Sequence, residues 1–123
     1  MGALARDITR GGTSAGSAQA MNGAVGTGIA AAGSIITDAT DLNATVNVVS
    51  TVSAGQGVQL PSMMIGDEVQ VYNATTTALK VYPDQSTVAI NQLTVGAAVS
   101  LGQFQGAMFR KVTSTQVWMI LSA

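Results

Sequence analysis

Residues 57–83 read GVQLPSMMIGDEVQVYNATTTALKVYP, and the alternation in this stretch decides the fold class. In EVQVY, Val69 and Val71 fall on one side while Gln70 and Tyr72 fall on the other; in ALKVY, Leu79 and Val81 alternate with Lys80 and Tyr82. A period of two bounded by turn residues is the pattern of half-buried strands. Gly66-Asp67 supplies a turn before the first run, and the polar residues 73–77 separate the two. Two alternating runs joined in this way predict a β-hairpin. Pro83 has no N–H to offer a ladder, so it should close the second strand or lie on an edge.

Working outward, strand signals continue on both sides. Residues 45–52 (TVNVVSTV) are strongly β-branched and predict a strand, and residues 34–37 (SIIT) a shorter one. Between them lies the polar turn of residues 38–41, and residues 53–57 (SAGQG) form another turn with two glycines. Residues 87–91, 97–101, 107–113 and 116–121 complete the strand set, separated by Val95-Gly96 and by the glycine-bearing residues 102–106. In the last strand Val117, Met119 and Leu121 form one face and Trp118 and Ile120 the other. Both faces are apolar, which predicts a central strand or an edge covered by a partner. No amphipathic helix and no exact internal repeat interrupt the series. The expected fold is all-β: a compact β-sandwich or small, jelly-roll-like barrel of about eight short antiparallel strands.

Residues 1–33 differ in kind. Gly, Ala, Ser and Thr dominate, and large apolar side chains are few: Leu4, Ile8, Met21, Val25 and Ile29. Such a segment buries too little apolar surface to offset its own ordering entropy. It is either a disordered tail or an extended arm that orders against a partner, and the arm is the reading adopted. The expected organisation is therefore an N-terminal arm over residues 1–33 and a β-domain over residues 34–123.

Composition narrows the function classes. The chain has 123 residues, one domain's worth. Charged residues make up only 9%, against roughly 25% in an ordinary soluble protein. A surface so poor in charge suits lasting contact with neighbouring subunits. A net charge of −1 offers no electrostatic case for nucleic acid, and Arg110-Lys111 is the only basic pair. No apolar run approaches the roughly 18 residues of a membrane span, and the N-terminus lacks the apolar core of a signal peptide. With no Cys and no His, thiolate chemistry, cysteine zinc sites and the commonest general base are all excluded. No enzymatic activity, cofactor or metal is expected.

The remaining motifs read as structure. Asn43-Ala44-Thr45 and Asn73-Ala74-Thr75 match the glycosylation pattern, but without a secretory signal they are turn asparagines. Asp38 with Asp41, and Asp67 with Glu68, lack the convergent oxygens that calcium needs and look like loop residues. Tyr72, Tyr82 and Trp118 are candidates for an aromatic platform for sugar, but packing in a core or interface is the preferred reading.

A wider pattern runs through the β-domain. It comprises Gly57-Val58-Gln59-Leu60-Pro61, then Gly66-Asp67-Glu68-Val69-Gln70-Val71-Tyr72-Asn73, Ala78-Leu79-Lys80-Val81-Tyr82-Pro83, Ile90-Asn91, and Phe109 through Thr113 to Trp118. From Leu42 onward the chain resembles a module of tailed-bacteriophage structural proteins, among them capsid decoration (cement) proteins and small head or tail accessory proteins. The resemblance implies a β-rich virion protein, commonly trimeric, on the outside of a phage head, with the host cytoplasm as the place of assembly. Its partners would be the major capsid protein and further copies of itself, with neither nucleic acid nor membrane involved. On that expectation Arg6, Ile8 and Arg10 of the arm contact the shell, while Val117, Trp118, Met119, Ile120 and Leu121 hold protomers together. The competing expectations are a tail, baseplate or head–tail accessory protein and a carbohydrate-binding module for host attachment.

Overall fold

The computed structural model describes residues 24–122. They form ten strands: β1 (Val25–Ala30), β2 (Thr40–Asp41), β3 (Val46–Thr51), β4 (Gly57–Gln59), β5 (Glu68–Asn73), β6 (Leu79–Tyr82), β7 (Ala89–Ile90), β8 (Val99–Leu101), β9 (Gly106–Thr113) and β10 (Gln116–Leu121). No helix occurs among the described residues. The strands make a six-stranded sheet in the order β1-β3-β5-β9-β10-β7 and a four-stranded sheet in the order β2-β4-β6-β8.

The pairing is that of a β-solenoid. Along residues 25–82 successive strands alternate between the two sheets, and each strand pairs in parallel with the one a full turn earlier. Thus β1, β3 and β5 stack in one sheet and β2, β4 and β6 in the other. Val25 lies opposite Val46, and Val46 opposite Gln70, so the turns of the coil are unequal. The C-terminal third then closes the last turn with antiparallel strands: β8 pairs with β6, β9 with β5, and β10 with β9. Strand β7 returns to pair in parallel with β10.

This overturns the expected sandwich or jelly-roll-like barrel of antiparallel strands. It also overturns the hairpin read from residues 57–83. The alternation itself holds: Val69, Val71, Leu79 and Val81 are all fully buried. The two runs, however, lie in different sheets. The segment between them turns a corner and does not reverse the chain. Asn73 sets that corner. Its Nδ2 donates to the carbonyls of Thr77 (2.8 Å), Gly102 (3.0 Å) and Leu101 (3.2 Å). Its Oδ1 accepts from the Thr75 hydroxyl (2.7 Å) and the Thr75 N–H (3.0 Å), an Asx turn. Residues 34–37 are likewise no strand. They lie in a bend and turn in which the Asp38 and Ala39 N–H groups both bond to the Ile35 carbonyl.

Strand β2 (Thr40–Asp41) lies inside the segment read as a polar turn, whereas other strands fall where the sequence puts them. β3, β5, β6 and β10 fall where predicted, Pro83 follows the last residue of β6, and β10 lies between β9 and β7 as a central strand. Within the segment assigned to the arm, Val25–Ala30 form β1 and pair with β3, and the Thr40 hydroxyl bonds back to the Ala30 carbonyl at 2.6 Å.

The core fills the space between the two sheets. Val49, Val58, Val69, Val71, Leu79 and Val81 line the parallel turns, and Ile90, Leu101, Phe109 and Val117 line the cap. Small residues let neighbours close on the backbone. At Gly57 a Cβ would stand 2.7 Å from the Lys80 carbonyl oxygen and 2.9 Å from the Tyr82 ring. Tyr82 is therefore buried over Gly57, and its hydroxyl donates to the Ser34 carbonyl at 2.8 Å, tying the third turn of the coil to the first.

Asn73→Ala would remove all five hydrogen bonds of the amide from a largely buried corner, and should lower stability by about 2–4 kcal/mol in urea denaturation. Asn43→Ala, at an exposed position of the same motif, should change it by less than about 0.5 kcal/mol.

Candidate contact face

Side chains that alternate with the buried set of β3, β5, β9 and β10 form the outer face of the six-stranded sheet. The register arranges them in rows. Glu68 lies opposite Arg110, and Arg110 opposite Trp118. In the next row Val46, Gln70, Met108 and Ile120 follow one another across four strands. In the third, Val48 lies opposite Tyr72, and Tyr72 opposite Gly106. Trp118 is 41% exposed, Ile120 65% and Tyr72 40%.

Polar groups on this face are mutually satisfied. Glu68 and Arg110 form an ion pair, and the Tyr72 hydroxyl donates to the Gln70 amide oxygen at 2.6 Å. That bond lays the Tyr72 ring across Gly106, where a Cβ would stand 2.3 Å from a ring carbon. Beside the ring is a shallow depression of about 220 Å³ bordered by Gln70, Tyr72, Met108, Ile120 and Ser122. A second depression, about 340 Å³, lies on the four-stranded sheet among Ala78, Lys80, Ala98 and Ser100.

The expected interface residues do not share one face. Val117 is fully buried in the core and Met119 packs against it from a half-buried position. Trp118 and Ile120 point outward, and Leu121 is 43% exposed at the strand end. Arg6, Ile8 and Arg10 lie outside the described residues. The aromatic platform is not assembled either, because Tyr72 belongs to the six-stranded sheet and Tyr82 is buried on the four-stranded one.

Arg110 and Lys111, adjacent in sequence, part company on opposite faces of β9. Arg110 reaches Glu68 outside, while Lys111 turns inward. Its Nζ donates to Asp84 Oδ2 at 2.8 Å, with both side chains buried. The same oxygen accepts the Met63 N–H at 3.3 Å, and the Asp84 carbonyl accepts from the Gln59 amide at 3.0 Å. Asp84 Oδ1 has no hydrogen-bond partner among the described residues. The pair joins the loop after β6 to the cap strand β9. Sequence reasoning passed over Asp84, since nothing in its neighbourhood announces a partner 27 residues away.

Among the described residues, the other carboxylates serve the backbone or the surface. Asp67 Oδ2 accepts the Met64 N–H at 2.7 Å and closes the turn before β5. No group of three or more His, Cys, Asp or Glu that could hold a metal ion comes together among the described residues. Comparison with protein-family models, curated proteins and solved structures returns no match for the chain.

Lys111→Met leaves the Asp84 carboxylate buried without its cation and should cost about 3–5 kcal/mol of stability. Lys111→Met combined with Asp84→Leu should cost less than Lys111→Met alone, because no charge is then left uncompensated. Denaturant titration of the three proteins checks the order.

Proposed function

We propose that this chain is a structural protein of a phage virion, a decoration subunit that stiffens a head by bridging its subunits. The observation that carries the reading is the outer face of the six-stranded sheet. It brings Trp118, Ile120, Met108 and Tyr72 to the surface, while its one acid and one base neutralise each other. Contiguous apolar surface with satisfied polar groups is the character of a lasting protein contact, not of a site that must release a ligand. The resemblance of the chain from Leu42 onward to tailed-phage structural proteins supplies the context. The sparse charge of the whole sequence is consistent with a subunit that spends its life in contact with others.

The function is mechanical. A stack of parallel turns, closed by an antiparallel cap and cross-tied by Tyr82–Ser34 and Asp84–Lys111, resists deformation because its ladders and ties share load. Fixed across a junction between capsid subunits, such a body opposes their separation. A carbohydrate-binding role is less well supported, since the tyrosines that motivated it lie on different sheets.

The purified protein should co-sediment saturably, at a fixed copy number, with expanded capsids that lack it, and should raise the temperature at which they rupture. Removal of residues 1–23, which leaves β1 intact, should reduce this binding if Arg6, Ile8 and Arg10 contact the shell. Absence of shell binding by the full chain would move the protein to the tail or baseplate.

A further inference from the structure

We infer that the outer face of the six-stranded sheet recognises itself: two copies pack face to face about a two-fold axis running along the strands between β5 and β9. The inference rests on reading that face as a lasting contact, and not on the virion role.

The register makes the face self-complementary. A two-fold axis between β5 and β9 exchanges the two strands, so β5 of one copy meets β9 of the other at the same level. Glu68 lies opposite Arg110 within one sheet, so the rotation sets Glu68 of each copy above the other's Arg110. The four charges then alternate in sign. One row further on, the rotation brings Ile120 of β10 over Val46 of β3, and Met108 over Gln70. Apolar side chains therefore meet apolar ones at the flanks, and opposite charges meet near the axis. A homologous pair of faces is what an isologous contact requires.

Size and charge agree with a second copy as the occupant. Five strands of six to eight residues, spaced about 4.8 Å apart, cover a flat area of about 500 Å², to which the two-residue β7 adds little. Side-chain relief raises the accessible area above that value, towards the ~800 Å² per partner of a stable contact. A basic or acidic partner would leave one charge of the Glu68–Arg110 pair facing its own sign. A copy of the same neutral face leaves none. Two sheets stacked at about 10 Å, as in any sheet-on-sheet layer, also let Trp118 and Ile120 interdigitate without disturbing the core beneath.

Sedimentation equilibrium of the full chain should show a monomer–dimer equilibrium. Ile120→Lys changes an exposed side chain, so the fold should stand, while dimer affinity should fall on the order of ten-fold or more, a loss of about 1.4 kcal/mol or more. The decisive arm is a mixture. Glu68→Arg and Arg110→Glu each put like charges on one face, and each alone should be monomeric. Mixed together they should form a heterodimer, because each protein then meets opposite charge only across the contact. A monomeric or trimeric wild type, or a mixture that stays monomeric, overturns the proposal. So does a dimer that survives Ile120→Lys and is lost when residues 1–23 are removed. Dimerisation without capsid binding would leave the inference standing and remove the decoration role.

Discussion

Asn73 is the side chain on which the architecture turns. Five hydrogen bonds converge on its amide, from Thr75 and Thr77 in the corner between β5 and β6 and from Leu101 and Gly102 at the corner between β8 and β9. A buried amide so fully satisfied is stable in one geometry only, since any other leaves several polar groups unpaired. It thereby decides that the chain passes from one sheet to the other after β5 and does not double back. With that direction fixed, β6 falls in line with β4, and the cap closes against the same corner. Where Asn73 has every partner it can take, Asn47 leaves its Oδ1 without one while its amide N–H groups bond the Ala44 and Gln70 carbonyls.

Two layers of ties hold the coil. The first is the parallel ladder between successive turns, which is regular between β3 and β5 and shifts register between β1 and β3. The second is a small set of long cross-links. Tyr82 reaches back to the turn after β1, and Lys111 reaches across to the loop after β6. The ion pair is worth little as pure attraction, because desolvation offsets much of what its charges gain in a buried setting. Its contribution is placement, since only one position of β9 lets Lys111 meet Asp84 while Phe109 fills the core.

Much of this was legible in the sequence, and what was not has a physical cause. Alternation of Val69, Val71, Leu79 and Val81 announces strands and their buried faces, because side-chain period depends on the strand alone. It carries no information about which strand lies beside which. Solenoids normally betray themselves by a repeat of fixed length. Here Val25 matches Val46 at 21 residues and Val46 matches Gln70 at 24, so no period survives in the letters. The corner at Asn73 and a hairpin turn use the same polar residues, which is why residues 57–83 read as a hairpin. On the contact face, Trp118 and Ile120 were visible as the outward set of β10, but Glu68 and Arg110 become neighbours only once β5 and β9 pair. The burial of Val117 and the half-burial of Met119 likewise depend on a sheet whose existence the alternation cannot prove.

The placement of β9 has a consequence for how the protein is made. This strand occupies the middle of the larger sheet, between β5 and β10, yet β5 ends at Asn73 and β9 begins only at Gly106. During synthesis the parallel turns emerge first, and β5 then waits with one row of backbone groups unpaired. Parallel pairing across distant residues is slow to form, and an open edge invites other chains. The body cannot close until β9 has left the ribosome. Translation that stops short of β9 therefore yields a sticky fragment and not a smaller domain, and co-translational chaperoning matters most over the stretch between β6 and β9.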